Sequence, residues 1–327
     1  MGLCQYHPVC SRTVSNFILG PTIKMIRLTR NSFAHKVVNQ WFHSRTILIG
    51  DAAHVFPPFG AQGMASGIRD AFSLSWRLAL LCNHTARAEL SLRAHDLLNT
   101  WARERREGVD QAIMETMRMG RFLLNKSPLV AAVTNLVSGI LEYVPFLRDA
   151  LARRILTDAV GITGVDNGYF LPNCRGGLKV AQIYVKSPDG AIQLSDYLFW
   201  GSEAVLTLLI LHSPSEKEAV AIDETLMSLN LPSYLLASEA VELCDDIALL
   251  SPPPSLSTAR LAPATLEDVT KAGLPSLPGY EVASFRRRFQ HETKYALVRS
   301  DLIVFSEAHT LDQLHEQLNQ ARELLAA

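Results

Sequence analysis

Within 35 residues, 46–80, the chain passes from a β-branched apolar run to a proline–glycine loop and on to a helical repeat. Residues 46–49 are Thr-Ile-Leu-Ile and end in Gly50-Asp51. Such a run reads as a buried strand whose C-terminal end meets a loop. The loop, 52–63, holds Pro57, Pro58, Gly60 and Gly63, so it is stiff at one end and permissive at the other. A helix is predicted from about 63 to 82, because Ile68, Ala71, Phe72, Ser75, Leu78, Ala79 and Cys82 recur at spacings of three and four.

This order places a carboxylate, Asp51, at the mouth of a predicted parallel sheet, where open α/β folds hold their ligands. There it can accept hydrogen bonds from ligand hydroxyls. Gly60 and Gly63 let backbone approach a flat or anionic group, and the following helix aims its N-terminal amides at the same place. A lone Gly-Asp pair ends many strands and means little. The full string, Gly-Asp-Ala-Ala-His, Pro-Pro, two spaced glycines, Gly-Ile-x-Asp-Ala and Trp-Arg-Leu-Ala, is far more restrictive.

The rest of the first half reads as helix, over 89–124 and 128–158. The charged stretch 103–107 is expected to be solvated, and Trp76 and Trp101 to pack between helices. Residues 22–30 read as a strand. Glycines then crowd between 161 and 177, which places a domain boundary near there and gives domains of 1–162 and 163–327. In the second half the predicted elements are a hairpin of 179–185 and 191–194 around Ser187–Gly190, a strand at 205–211 and a helix at 216–229. A strand at 234–237, a hairpin of 295–298 and 302–305, and a closing helix at 311–325 follow. A β-α-β unit followed by a hairpin and a helix is the thioredoxin-like order.

Composition excludes several classes. Hydrophobic residues make up 48% of 327, so the chain can build cores and is not intrinsically disordered. Thirty-one basic against 32 acidic residues give a net charge of −1, which argues against nucleic acid or anionic lipid as the main partner. The five cysteines, Cys4, Cys10, Cys82, Cys174 and Cys244, are odd in number and widely spaced, which suits a reducing, cytoplasmic setting better than a disulfide framework. The first twenty residues lack the build of a secretory signal. The most apolar stretch, 129–147, carries Thr134, Asn135, Ser138, Glu142 and Pro145, so a buried or interfacial helix is preferred over a membrane span. Cys4, His7 and Cys10 lack a clear fourth ligand, so zinc is disfavoured and no metal is expected. His54 reads as a structural histidine, and Arg286–Arg288 as a solvated edge. No Gly-x-Ser-x-Gly occurs, so a hydrolase elbow is excluded. No Cys-x-x-Cys occurs either, so a disulfide reductase is disfavoured.

The 50–80 segment resembles the second flavin-binding motif of the FAD-dependent aromatic hydroxylases, the group of p-hydroxybenzoate hydroxylase and phenol hydroxylase. Gly176-Gly177-Leu178, residues 196–200 and Tyr295–Asp301 resemble the terminal domain of members with a thioredoxin-like C-terminus. The resemblance implies an α/β fold: an incomplete FAD/NAD(P)-binding, p-hydroxybenzoate hydroxylase-like domain with a helical segment, then a thioredoxin-like α/β domain. It implies that Asp51 binds the ribityl chain of FAD. Pro57 and Pro58 would lie on the substrate side of the isoalloxazine, and Gly60, Gly63 and Met64 would meet its pyrimidine edge. Ala65 stands where many members carry Asn. The implied reaction is hydroxylation of a small aromatic or phenolic substrate with NAD(P)H and O2. The implied partner beyond the substrate is a second copy, since the terminal domain makes subunit contacts in relatives. None of the 18 glycines has another two places later, so the family's first motif, Gly-x-Gly-x-x-Gly, is missing, as is its middle Asp-Gly motif. The chain therefore resembles the C-terminal portion of a longer hydroxylase, and reads as a fragment, half of a split enzyme or a shortened enzyme, or else as an inactive relative serving as an interaction module. No side chain in the sequence stands out as a proton-transfer residue, so the catalytic residues stay unknown at this level.

Overall fold

The structure is a computed structural model that describes residues 33–82, 94–125, 127–144, 146–147, 161–162, 164–165, 167–187, 189–200, 204–243, 258–275, 285 and 288–326. The predicted strand at 22–30, the Cys4–His7–Cys10 cluster, the first residues of the second predicted helix, the last of the third, Arg286 and Arg287 lie outside the described residues.

Two compact units divide the chain. The described part of the first is 33–67 with Ala112–Leu124; the second takes Ile68–Gln111 and the residues from Asn125 onward. In the first unit, β1 (Lys36–Val37) pairs antiparallel with β4 (His54–Val55), and β2 (Phe42–His43) pairs antiparallel with β3 (Thr46–Ile47). The expected buried strand at 46–49 is thus two residues long, partly exposed and antiparallel. It lies in no parallel sheet among the described residues, because its neighbour is the hairpin strand just before it. Trp41 and His54 are buried, and the His54 ring sits 5.6 Å from Trp41 and 5.2 Å from Phe56, in keeping with a structural histidine.

Helix α1 (Gln62–Cys82) starts within a residue of its expected position. Its buried face is not the expected one. Asp70, Ser73, Leu74, Trp76, Arg77 and Leu80 are buried, whereas Ile68 and Leu78 are exposed. Apolar periodicity picks the wrong stripe because the polar side chains of the buried stripe are paired and so lose their penalty for leaving water. Helix α2 (Ala94–Leu123) follows, then α3 (Pro128–Tyr143), which buries none of its side chains. Among the described residues no helix is long and apolar enough to cross a membrane.

The second unit is organised by a seven-stranded sheet. Its strands are β5 (Tyr184–Lys186), β6 (Ile192–Leu194), β7 (Leu206–Ile210), β8 (Ala240–Leu243), β9 (Thr258–Pro263), β10 (Tyr295–Arg299) and β11 (Val304–Ala308), in the order β11-β10-β7-β8-β9-β5-β6. β7, β8 and β9 run parallel; the other neighbours are antiparallel. Alternation sends Leu206, Leu208 and Ile210 to one core and Leu209 to the other. α4 (Tyr197–Trp200), α5 (Glu216–Leu229), α6 (Leu266–Lys271) and α7 (Leu311–Ala326) complete the unit. α5 matches its expected range, and Ser215 caps it by accepting a bond from the Glu218 amide. The strand expected at 234–237 is a single bridge, Leu206 to Leu236; the strand forms at Ala240–Leu243 instead. β8, β9 and α6 have no counterpart in the sequence reading. β8 is short and fully buried, Ala-Val-Glu-Leu, and its Glu242 breaks the apolar run that would have marked it.

Candidate functional site

The motif residues occupy two successive turns before α1. Gly50–Ala52 form one turn of 3-10 helix, closed by the Ala53 amide donating to the Gly50 carbonyl at 2.9 Å. Asp51, in the middle of that turn, is exposed. Gly50 and Gly67 approach backbone to backbone: a Cβ on Gly67 would stand 3.3 Å from the Gly50 Cα. The Asp51 turn therefore rests directly on α1, and the two small residues set that closeness.

Pro57 is buried and Pro58 exposed, so the diproline has one anchored and one open residue. Phe59–Ala61 form a second 3-10 turn. Gly60 has φ 72°, a left-handed backbone that glycine adopts without a Cβ clash. Ala61 has φ 54°, where an L side chain pays about 1–2 kcal/mol. Gly63 and Met64 lie in the first turn of α1, whose amides have no acceptor within the helix. A Cβ at Gly63 would touch only Phe56 Cβ, at 3.6 Å, and Met64 is 76% exposed. The structure thus sets an exposed carboxylate on a turn that rests against Gly67 of α1, and a left-handed, exposed glycine on the turn directly before the positive end of that 21-residue helix. An electron-rich ring and a polyhydroxyl chain are the ligand features such an arrangement can satisfy.

A second constellation lies wholly in the second unit and has no counterpart in the sequence reading. Arg77, Glu104, Arg299 and Asp301 form a buried ion cluster. Arg77 Nη2 and Arg299 Nη2 both meet Glu104 Oε2 at 2.9 Å. Arg299 Nη1 donates to Glu104 Oε1 at 3.0 Å, and Arg299 Nε to Asp301 Oδ1 at 2.8 Å. The Tyr169 amide donates to Glu104 Oε1 at 2.8 Å, and the Trp76 indole to Asp301 Oδ2 at 3.2 Å. The Arg77 guanidinium lies 4.1 Å from the Trp76 ring centroid. Burial pushes the Glu104 carboxyl up, but the Arg299 and Arg77 guanidiniums outweigh it and bring it down to about 2. Beside this cluster Arg105 Nε meets Asp70 Oδ1 at 2.8 Å, and the buried Trp101 donates to Ser73 Oγ at 3.0 Å.

The expectation that 103–107 is solvated is therefore overturned for Glu104 and Arg105, both buried. Arg299-Ser-Asp301, read as a plain hairpin turn, is half of the cluster. The sequence signal was available in Asp70, Ser73 and Arg77, which share one face of α1 with Leu74. Trp76 and Trp101 do pack between elements, as expected. Arg288 is partly buried, and its carbonyl accepts from Arg175 Nη2 at 3.2 Å.

Residues 13–116 match the family described as FAD binding domain. The chain is 34% identical over 119 residues to a probable NADH-specific resorcinol 4-hydroxylase of Rhodococcus jostii, covering 36% of this chain and 21% of that protein. It is 29% identical over 175 residues to a 3-(3-hydroxy-phenyl)propionate/3-hydroxycinnamic acid hydroxylase of Burkholderia cenocepacia, covering 52% and 30%. Over part of its length the chain is thus similar to hydroxylases, and over 13–116 to an FAD-binding domain. The fold agrees. Aklavinone-11 hydroxylase, solved with FAD and aklavinone, superposes with a TM-score of 0.51 at 18% identity, over 96% of this chain and 51% of that one. The monooxygenase PieE, solved with FAD and substrate, gives 0.51 at 15% identity, over 98% and 54%. The chain spans about half the length of these solved hydroxylases and less of the sequence relatives.

Proposed function

We propose that the protein acts as an FAD-dependent monooxygenase that hydroxylates a small aromatic or phenolic substrate, with NAD(P)H and O2 as co-substrates. The observation that carries this reading is the meeting of Asp51, Pro57, Pro58, Gly60, Gly63 and Met64 on two turns at the open end of α1. These residues fit a flavin. The exposed Asp51 carboxylate has free capacity for ribityl hydroxyls, the uncovered Gly60 backbone admits a flat ring, and the helix end favours negative charge on the pyrimidine edge. When bound, FAD supplies electron transfer from NAD(P)H and activation of O2. The chain's own share is grip and orientation: Asp51 fixes the ribityl chain, Pro57 and Pro58 border the substrate side, and Gly63 and Met64 present amides.

Residues 1–162 are proposed as the FAD-binding portion with its helical segment, and 163–327 as a thioredoxin-like terminal domain. Support for the second assignment is the order β11-β10-β7-β8, with a parallel β7-α5-β8 unit, an antiparallel hairpin and the closing α7. A homodimer through that domain and a cytoplasmic location complete the proposal.

The test is an FAD titration of the purified chain, followed by flavin absorbance and fluorescence. Saturable binding that Asp51→Ala weakens supports the reading; oxidation of NADH or NADPH stimulated by phenols then tests turnover. A folded chain that binds no FAD sinks the reading and leaves the interaction module.

A further inference from the structure

We propose that Gly120 is a positioning residue for the flavin loop, acting through Phe59. Phe59, Gly60, Met119 and Gly120 all belong to the first unit. Phe59 opens the 3-10 turn that carries Gly60. Its ring occupies the place where a side chain at 120 would stand. A Cβ on Gly120 would come within 2.6 Å of Phe59 Cε2 and 2.7 Å of Cδ2, closer than nonbonded carbons tolerate. The absence of a side chain at 120 is thus a seat cut into the last turns of α2. The ring has an outer neighbour too: Phe33 meets it edge-on at 6.1 Å.

The next residue of the loop is held from the same helix. Met119 Sδ lies 3.6 Å from where a Cβ of Gly60 would be, an ordinary van der Waals distance. Two consecutive helix residues, one without a side chain and one with a flexible thioether, therefore receive two consecutive loop residues. Gly60 is left-handed, so the direction in which its peptide faces depends on where Phe59 is seated. Gly120 lies inside the last turn of α2, where glycine costs up to about 1 kcal/mol against alanine, and the seat explains why the helix accepts that cost. The contact itself is independent of any ligand; that it matters for FAD rests on the proposed function above.

The experiment is a double-mutant cycle on the full chain with Gly120→Ala, Phe59→Ala and both together. Two readouts are taken: hydrogen exchange of amides 56–62 without ligand, and FAD affinity with the absorbance band of bound flavin. Gly120→Ala is expected to speed exchange at 56–62, shift the flavin band and weaken FAD about tenfold. The same change made in the Phe59→Ala background is expected to do almost nothing. Equal effects in both backgrounds, or none in either, overturn the proposal. If Gly120→Ala does not fold, Phe59→Leu replaces it; a shrunken ring seat must then shift the flavin band while exchange across 206–210 stays slow, and an unshifted band overturns the proposal. Coupling in the exchange data with no FAD binding by the unaltered chain sinks the flavin reading and leaves the seat standing.

Discussion

The turns that carry the proposed flavin motif and the sheet that carries most of the fold are built by opposite rules. Around Asp51 the strands are two residues long, Pro58, Gly60 and Met64 are exposed, and two non-ideal backbone positions follow one another at 60 and 61. In the sheet, β7, β10 and β11 are buried at every residue, and even their charged members are paired out of water. The difference teaches where a ligand could add stability. An exposed carboxylate can still accept hydrogen bonds from a ligand, and the first amides of a helix can donate them; the sheet's ion cluster is buried and most of its charged groups are already paired.

The comparison breaks most visibly at Glu104. Glu104→Gln leaves Arg77 and Arg299 buried with half their compensation, and the expected loss is about 3–5 kcal/mol in urea unfolding. A loss below about 1 kcal/mol would mean that water reaches the cluster. The same residue predicts a pH effect. Its folded pKa, about 2, lies below its ordinary 4.5. The stabilisation is therefore complete above about pH 4.5 and fades as pH falls towards about 2. The urea midpoint of the unaltered chain should drop over that window, and that of Glu104→Gln should drop less.

At the other pole, Asp51→Ala should leave the urea midpoint within about 0.5 kcal/mol, since the carboxylate is exposed. It should nonetheless weaken FAD by about tenfold or more, the worth of a charged hydrogen bond. A large change in the midpoint would show that Asp51 holds the fold rather than the ligand. The smallest effect is expected at Ala61. Ala61→Gly relieves a left-handed alanine worth about 1–2 kcal/mol but adds freedom to the unfolded chain worth about 0.4–1 kcal/mol. A net gain of about 0.5 kcal/mol should appear as a slightly raised urea midpoint; a loss would mean that the strain is absent in solution.

What the sequence determined by itself is local. The proline–glycine loop and the start of α1, α5 from Ser215 onward, and the hairpin of β10 and β11 all follow from short-range preferences: caps, spaced glycines and alternation. The motif residues could be named because they lie within fifteen positions of one another. Tertiary structure alone decided which face of α1 is buried, because Arg77 is an acceptable core residue only once Glu104 arrives from 27 positions away, itself held by Arg299 a further 195 positions on. It alone decided that β8 forms at Ala240–Leu243, where the neighbouring β7 and β9 supply the hydrogen bonds that a four-residue segment cannot make for itself. It also decided the value of Gly120, a residue without a side chain, whose meaning is the Phe59 ring placed against it by a chain segment 61 residues earlier. Periodicity reports the cost of exposing a residue; the partners that cancel the cost of burying it lie far away in sequence.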